Sequence, residues 1–131
     1  MNFVEDFRVP LWLFNGHLQT IWPATVGKKH LRREVRPSYF REKWKTPDND
    51  FIEIDFNQNF YKERNPIVVL FHGLEGSSSS YYSLAFYQAC KELKFSLSIP
   101  HFRGCSGLPN ELPRSYHAGD SEEINWILEK Y

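Results

Sequence analysis

Residues 67–76 read IVVLFHGLEG, and this stretch indicates the fold class. Residues 67–71 form a continuous run of β-branched and apolar side chains, which is typical of a parallel strand covered on both faces. The His-Gly pair that follows breaks the run, and a helix is predicted over residues 80–93. Residues 95–99 predict the next strand, so this part of the chain implies a parallel sheet with a helical crossover. The apolar stripe expected to bury the helix comprises Tyr82, Phe86, Ala89, Cys90 and Leu93.

The residues before this unit predict a short helix and an antiparallel hairpin. Asn15 can cap the helix, and Pro23 is expected to end it. Residues 28–36 carry five Lys and Arg residues and are interpreted as a solvated strand or loop face rather than a phosphate-binding patch. Residues 35–44 predict a first strand, which a proline confines to a sheet edge. In residues 51–56 apolar and acidic side chains alternate, which predicts a half-buried strand with one wet face.

The residues after the unit predict a Gly- and Pro-rich loop over residues 100–113 and a last helix. The helix begins near Asp120, which has capping-box spacing to a glutamate. The order is therefore hairpin, strand, helix, strand, helix, in a single α/β domain over residues 1–131. Residues 1–30 form its irregular and helical N-terminal segment, and residues 31–131 form the first half of a mostly parallel sheet.

The composition argues against several classes of function. Lys plus Arg and Asp plus Glu both number 16, so a broad electrostatic attraction to nucleic acid or an anionic membrane is not supported. No apolar run approaches the roughly 20 residues of a membrane-spanning helix, and the N-terminus shows no signal-peptide pattern. Cys90 and Cys105 have neither the density of a disulfide framework nor C-x-x-C spacing, which favours a reducing, cytoplasmic location.

Two Gly-rich loops are expected at the ligand-binding edge of the sheet, beyond the carboxyl ends of its strands. They cover residues 72–80 and residues 101–107. A Gly-rich turn that enters a helix can present backbone N–H groups to a phosphate or to the oxyanion of an acyl-transfer intermediate. Neither the P-loop motif nor the G-x-G-x-x-G motif is present.

Four motifs in register give a more specific indication. They are NGHLQTI at residues 15–21, FHGLEGSS at 71–78, FRGCSG at 102–107 and PRSYHAGD at 113–120. Together they resemble the N-terminal part of α/β-hydrolase-fold esterases and lipases, a group of bacterial carboxylesterases and eukaryotic lipid-active hydrolases. The resemblance implies a truncated α/β-hydrolase fold that lacks the nucleophile-elbow strand and everything after it.

The resemblance also implies a set of site residues. Family members use a serine in a G-x-S-x-G elbow, followed by an acid and a histidine, and no serine of this sequence fits that motif. The backbone N–H of Leu74 would supply half of the oxyanion hole, and His72 and Gly73 would shape its loop. Further residues that could line the site are Glu75, Gly76, Arg103 and Cys105.

Other chemical roles compete with this interpretation. His72 could act as a base, but a role in shaping the turn is favoured. Cys105 could act as a nucleophile with its pKa lowered by Arg103, but no partner His–acid pair is identifiable, so a packed thiol is favoured. The spacings of His17, His72, His101 and His117 match no metal-ligand pair, so neither a metal nor another cofactor is predicted.

Three functional hypotheses follow. The first is the N-terminal part of a serine carboxylic-ester hydrolase for ester or lipid substrates, inactive alone because it carries no triad. The second is a non-enzymatic subunit that pairs with a separately encoded C-terminal half. The third is a small cysteine enzyme that uses Cys105. In the implied fold residues 67–71 form an apolar sheet edge, so marginal stability or association with a complementary piece is expected.

Overall fold

The computed structural model describes residues 8–57, 65–117 and 119–131 and shows a mixed four-stranded sheet with helices on both faces. The helices are α1 (Gly16–Trp22), α2 (Lys28–Val35), α3 (Tyr81–Leu93) and α4 (Ser121–Leu128), with a π-helical turn at Pro23–Gly27. The strands are β1 (Tyr39–Lys45), β2 (Phe51–Asn57), β3 (Ile67–Val69) and β4 (Ser96–His101). Residues 1–7 and 58–64, and Ala118 of the fourth motif, lie outside the described residues.

The strand order across the sheet is β1-β2-β4-β3. β1 pairs antiparallel with β2 and β3 pairs parallel with β4, as the predicted hairpin and crossover require. β2 also pairs antiparallel with β4, which joins the two units into one sheet. β3 therefore forms one edge, and no further strand covers it among the residues that the structure describes. This edge position confirms the expectation from the sequence, but β3 is not covered on both faces, because Ile67 is 46% exposed.

The core consists of two clusters on opposite faces of the sheet. On one face α2 and α3 pack on β4 through a cluster comprising Val35, Tyr87, Cys90, Leu97 and Ile99. On the other face α4 packs on β2 through a cluster comprising Ile52, Ile54, Phe56 and Ile127. Because both faces are covered, the predicted wet face of β2 is wrong, and Glu53 and Asp55 are buried as well.

The basic stretch before the hairpin is helical, which corrects the prediction of a strand or loop. Residues 28–35 form α2, so the first hairpin strand begins at Tyr39 instead of residue 35. The physical reason is that Leu31 and Val35, four positions apart, both pack on the core of α3 and β4. Two of its cations, Arg32 and Arg33, lie in the last turn of the helix, where its dipole favours them.

The ends of the predicted helices are largely confirmed. The side chain of Asn15 accepts a hydrogen bond from Leu18 N at 2.9 Å and caps α1. Pro23 ends the regular α-helix, but the chain continues through the π-helical turn into α2. The side chain of Asp120 accepts from Glu123 N and caps α4. No helix within the described residues is long and apolar enough to cross a membrane.

The buried stripe of α3 differs from the predicted one. The buried residues are Ser83, Leu84, Tyr87 and Cys90, whereas Phe86 and Leu93 are 45% and 62% exposed. The Tyr87 hydroxyl accepts from Ser38 N at 3.1 Å and donates to Ser38 O at 3.2 Å. These hydrogen bonds join α3 to the residue before β1. They orient the helix so that its buried face differs from the one that hydrophobic spacing predicts.

Candidate functional site

Three segments meet beyond the carboxyl ends of β3 and β4. Because β3 and β4 are parallel, the loop over residues 72–80 and the loop over residues 102–113 leave the same edge of the sheet. The segment over residues 114–117 joins them through Tyr116. The described parts of the second, third and fourth motifs therefore lie together at this edge of the sheet, where the sequence predicts the loops over residues 72–80 and 101–107.

His72 joins the first two loops and is buried. Its Nε2 accepts from Phe102 N at 3.1 Å, so its Nδ1 carries the proton and donates to Gly73 O at 2.9 Å. Burial lowers the pKa of His72, which keeps the ring neutral in this arrangement. The two hydrogen bonds occupy both ring nitrogens, so the geometry favours the role of shaping the turn over that of a free base.

Leu74 carries the one N–H group of residues 73–77 that has no acceptor among the residues that the structure describes. The Gly73 and Glu75 N–H groups donate to tyrosine hydroxyls, of Tyr82 at 3.1 Å and of Tyr116 at 2.7 Å. The N–H groups of the next two residues, Gly76 and Ser77, donate within the loop, to Gly73 O at 2.9 Å and to Ser80 Oγ at 3.0 Å. Leu74 as a residue is 89% exposed, so this part of the turn faces solvent.

Glu75 has a left-handed backbone conformation, with φ of 51°. A non-glycine residue in this region stores strain that its surroundings must offset. The Tyr116 hydroxyl accepts the Glu75 N–H, and the Tyr116 ring stacks on Phe102 with centroids 5.2 Å apart and planes 3° from parallel. Sequence analysis missed Tyr116, although it lies inside the fourth motif.

Gly76 is buried in the same turn and has no room for a side chain. A Cβ placed there would lie 2.2 Å from the Tyr82 hydroxyl oxygen, 2.9 Å from His72 Cβ and 3.0 Å from Gly73 O. Gly73, by contrast, has no heavy atom within 4 Å of the corresponding position. The two glycines therefore act differently: Gly76 permits the close turn, and Gly73 lies on its open side.

Asp55, a buried carboxylate on β2, binds the loop over residues 72–80 through Ser78. Asp55 Oδ2 accepts from Ser78 Oγ at 2.5 Å and lies 2.9 Å from His101 Nε2. The Arg41 guanidinium binds both carboxylate oxygens, at 2.6 Å and 2.8 Å. Burial raises the pKa of Asp55, but the hydrogen bonds from Arg41, His101 and Ser78 outweigh it and hold the pKa well below its usual range.

This cluster contains Ser, His and Asp but is not a catalytic triad. In a triad the serine donates to the histidine, whereas here Ser78 and His101 both bind the same carboxylate. Sequence analysis missed Asp55, because alternation placed it on a wet face. A cleft of about 560 Å³ adjoins the cluster and contains Arg41, Cys105 and residues 77–79 in its wall.

Arg103 and Cys105, two of the residues predicted to line the site, point to different surroundings. The Arg103 side chain is 2% exposed and lies 2.6 Å from Glu123 Oε2, 3.1 Å from Asp50 Oδ2 and 2.9 Å from Asp48 Oδ2. It therefore ties the second loop to the hairpin turn and to α4 and does not face Cys105. Burial raises the pKa of the Cys105 thiol, which does not favour a thiolate nucleophile.

No group of three His, Cys, Asp or Glu side chains that could hold a metal ion occurs in residues 8–57, 65–117 and 119–131. The turn over residues 72–77 offers a backbone N–H group, that of Leu74, beside the hydroxyls of Tyr82 and Tyr116. Such groups bind an oxyanion or a neutral polar ligand.

Comparison with known proteins identifies relatives of the chain. It is 36% identical over 115 residues to a protein of Escherichia coli (strain K12) named "Putative esterase YheT", a match that covers 87% of this chain and 32% of that protein. It is 32% identical over 128 residues to an "Abhydrolase domain-containing protein" of Dictyostelium discoideum, which covers 94% of this chain and 31% of that protein.

The chain spans about a third of the length of these two curated relatives. No protein-family model and no solved structure matches it. The two relatives agree with the resemblance that the four motifs carry and with the mixed α/β sheet. The chain therefore belongs to the α/β-hydrolase esterase family and corresponds to the N-terminal part of its members.

Proposed function

We propose that the chain supplies the oxyanion-binding loop of a serine carboxylic-ester hydrolase, with Leu74 N–H as one of two donors. The observation that carries this proposal is the exposed Leu74 N–H, which has no acceptor among the described residues while the neighbouring N–H groups are all hydrogen-bonded. The Leu74 N–H is also preorganised, because hydrogen bonds on both sides of it fix the turn.

The chemistry needs a second half of the site. When a serine attacks an ester carbonyl, the carbonyl oxygen gains negative charge, and the oxyanion hole stabilises it with two N–H donors. The second donor lies next to the nucleophile, and this sequence contains no G-x-S-x-G motif. In this proposal a second polypeptide segment supplies the nucleophile, the acid and the histidine, and we expect no ester hydrolysis by this polypeptide alone.

The test is a chimera in which this chain replaces the matched N-terminal part of the E. coli relative. If the proposal holds, the chimera hydrolyses p-nitrophenyl esters, and Leu74→Pro lowers kcat by about 10²–10³-fold with little change in KM. Leu74→Ala is the matched control, because it keeps the N–H and removes only an exposed side chain; its kcat should stay within about threefold.

A backbone ester at position 74 separates loss of the donor from misfolding. Leucic acid in place of Leu74 replaces the N–H by an oxygen and leaves the side chain unchanged. It should lower kcat as Leu74→Pro does, since both remove the same donor. A folded chimera that hydrolyses esters equally well with the ester at position 74 would contradict the proposal.

A second candidate function is that of a subunit that pairs with a separately encoded C-terminal half. The observation that favours it is the outer edge of β3, which has no neighbouring strand among the described residues and begins with an exposed Ile67. Such an edge can accept a strand from another chain. Co-expression of the two halves as separate chains would support this function through a stable complex and restored activity; two halves that do not associate would contradict it.

A further inference from the structure

The segment over residues 114–117 contributes a hydroxyl to the turn next to the proposed oxyanion donor. Tyr116 OH lies 2.7 Å from Glu75 N, the amide directly after Leu74. The hydroxyl comes from a part of the chain 41 residues away, so the contact is not part of the local turn. It reaches the only residue of this turn that has a left-handed backbone.

We infer that Tyr116 is a positioning residue of the oxyanion-binding loop, which holds the Leu74 N–H in its productive direction through Glu75. The inference rests on the proposed function for its catalytic consequence, but the structural contact can be tested separately. The Glu75 N–H belongs to the Leu74–Glu75 peptide, which is joined through Leu74 Cα to the Gly73–Leu74 peptide that carries the Leu74 N–H. The hydrogen bond from Glu75 N to the Tyr116 hydroxyl therefore holds the peptide next to the one that carries the donor, at a residue whose strained φ favours relaxation.

Two further contacts fix the Tyr116 hydroxyl in place. The Tyr116 ring stacks on Phe102, and Phe102 N donates to His72, the residue that begins the turn. The hydrogen bond from Glu75 N lowers the pKa of Tyr116, but burial and Cys105 outweigh it and raise the pKa, so the hydroxyl remains protonated at neutral pH.

The loop therefore has a closed circuit of contacts around Leu74. One side runs from Gly73 through His72 to Phe102, and the other from Glu75 through Tyr116 to the same Phe102. A circuit of this kind holds a backbone donor within the few tenths of an ångström that transition-state stabilisation requires. Leu74 is the member of the circuit whose N–H remains available to a ligand within the described residues.

The experiment is Tyr116→Phe, which removes the hydroxyl and keeps the ring on Phe102. In the 131-residue chain, amide hydrogen exchange at Glu75 should become about tenfold faster, while exchange at Phe102, which donates to His72, should be unchanged. Tyr81→Phe is the matched control, because the Tyr81 ring is 43% exposed and close to the same loop. It should leave exchange at Glu75 unchanged.

The second arm of the test uses the active chimera. Tyr116→Phe should lower kcat about three- to tenfold with KM unchanged, because the oxyanion exists only in the transition state. Unchanged exchange at Glu75, or unchanged kcat in a chimera that responds to loss of the Leu74 N–H, would overturn the positioning role. If removal of the Leu74 N–H does not change the activity of the chimera, the proposed function is overturned instead. Amide exchange at Glu75 would then be the remaining test of the role of Tyr116.

Discussion

At the scale of single residues, two glycines next to the exposed Leu74 amide differ in the space around them. Gly76→Ala should destabilise the turn, because its Cβ would overlap His72 Cβ and the Gly73 carbonyl as well as the Tyr82 hydroxyl. We expect a loss of about 1–3 kcal/mol in the free energy of unfolding, the usual cost of overpacking. Urea denaturation followed by tryptophan fluorescence measures it.

Gly73→Ala is the control for this prediction. An added Cβ at position 73 meets no heavy atom within 4 Å, so the free energy of unfolding should change by less than about 0.5 kcal/mol. Equal effects of the two substitutions would show that the crowding around Gly76 does not stabilise the turn.

The candidate site was predicted from the sequence only where a motif carries its own local geometry. His72, Gly73 and Leu74 could be assigned because a His-Gly turn after an apolar strand is a local pattern. Asp55 and Tyr116 could not, because each acts through a partner 23 to 46 residues away along the chain or more, and spacing gives no sign of such a contact.

At the scale of secondary structure, the errors of prediction concern helix α2, the buried face of α3 and the wet face of β2. The hairpin and the crossover follow from the sequence, whereas the pairing of β2 with β4, which joins them into one sheet, does not. Helix α2 was not predicted because only two of its side chains, Leu31 and Val35, pack on the core, and both lie in a basic stretch of sequence. The face of α3 was misassigned because the partners of Ser83 and Tyr87 are polar groups outside the helix, at Ser77 O and Ser38.

The exposed edge of β3 leads to a prediction about association. The chain should self-associate as its concentration rises, because the outer backbone of β3 is unpaired within the described residues and Ile67 is 46% exposed. Ile67→Lys should weaken this association about tenfold or more, since pairing of two β3 edges would bring like charges together. Sedimentation velocity over a range of concentrations measures it.

Leu93→Lys is the matched control for the β3 edge. Leu93 is 62% exposed at the end of helix α3 and contributes no backbone to the sheet, so its substitution should leave the association unchanged. If both lysine substitutions weaken association equally, the association is caused by nonspecific contact of exposed apolar side chains and not by strand pairing.

At the scale of the whole molecule, buried polar groups make stability depend on pH. Burial lowers the pKa of His72, so its contribution to stability is complete above the unfolded pKa of about 6.5 and is lost as the pH falls. The pKa of Asp48 is lowered to about 2, first by its hydrogen bond with Arg103, and that of Asp55 is also lowered. The stability from both carboxylates is complete above the unfolded pKa of about 3.9 and is lost as the pH falls through the folded values.

The free energy of unfolding of the 131-residue chain should therefore decrease in two stages on acidification, first below about pH 6.5 and again below about pH 4.

Asp55→Asn should reduce the slope of the second stage and leave the slope of the first unchanged, because it removes the carboxylate that Arg41, His101 and Ser78 stabilise. Glu111→Gln is the control: its carboxylate is 66% exposed and 3.8 Å from Lys43 Nζ, so the slope should not change measurably. Urea denaturation at a series of pH values measures both stages. An acid slope in Asp55→Asn equal to that of the unsubstituted chain would mean that the ionised Asp55 does not stabilise the contacts among the hairpin, β4 and the loop over residues 72–80.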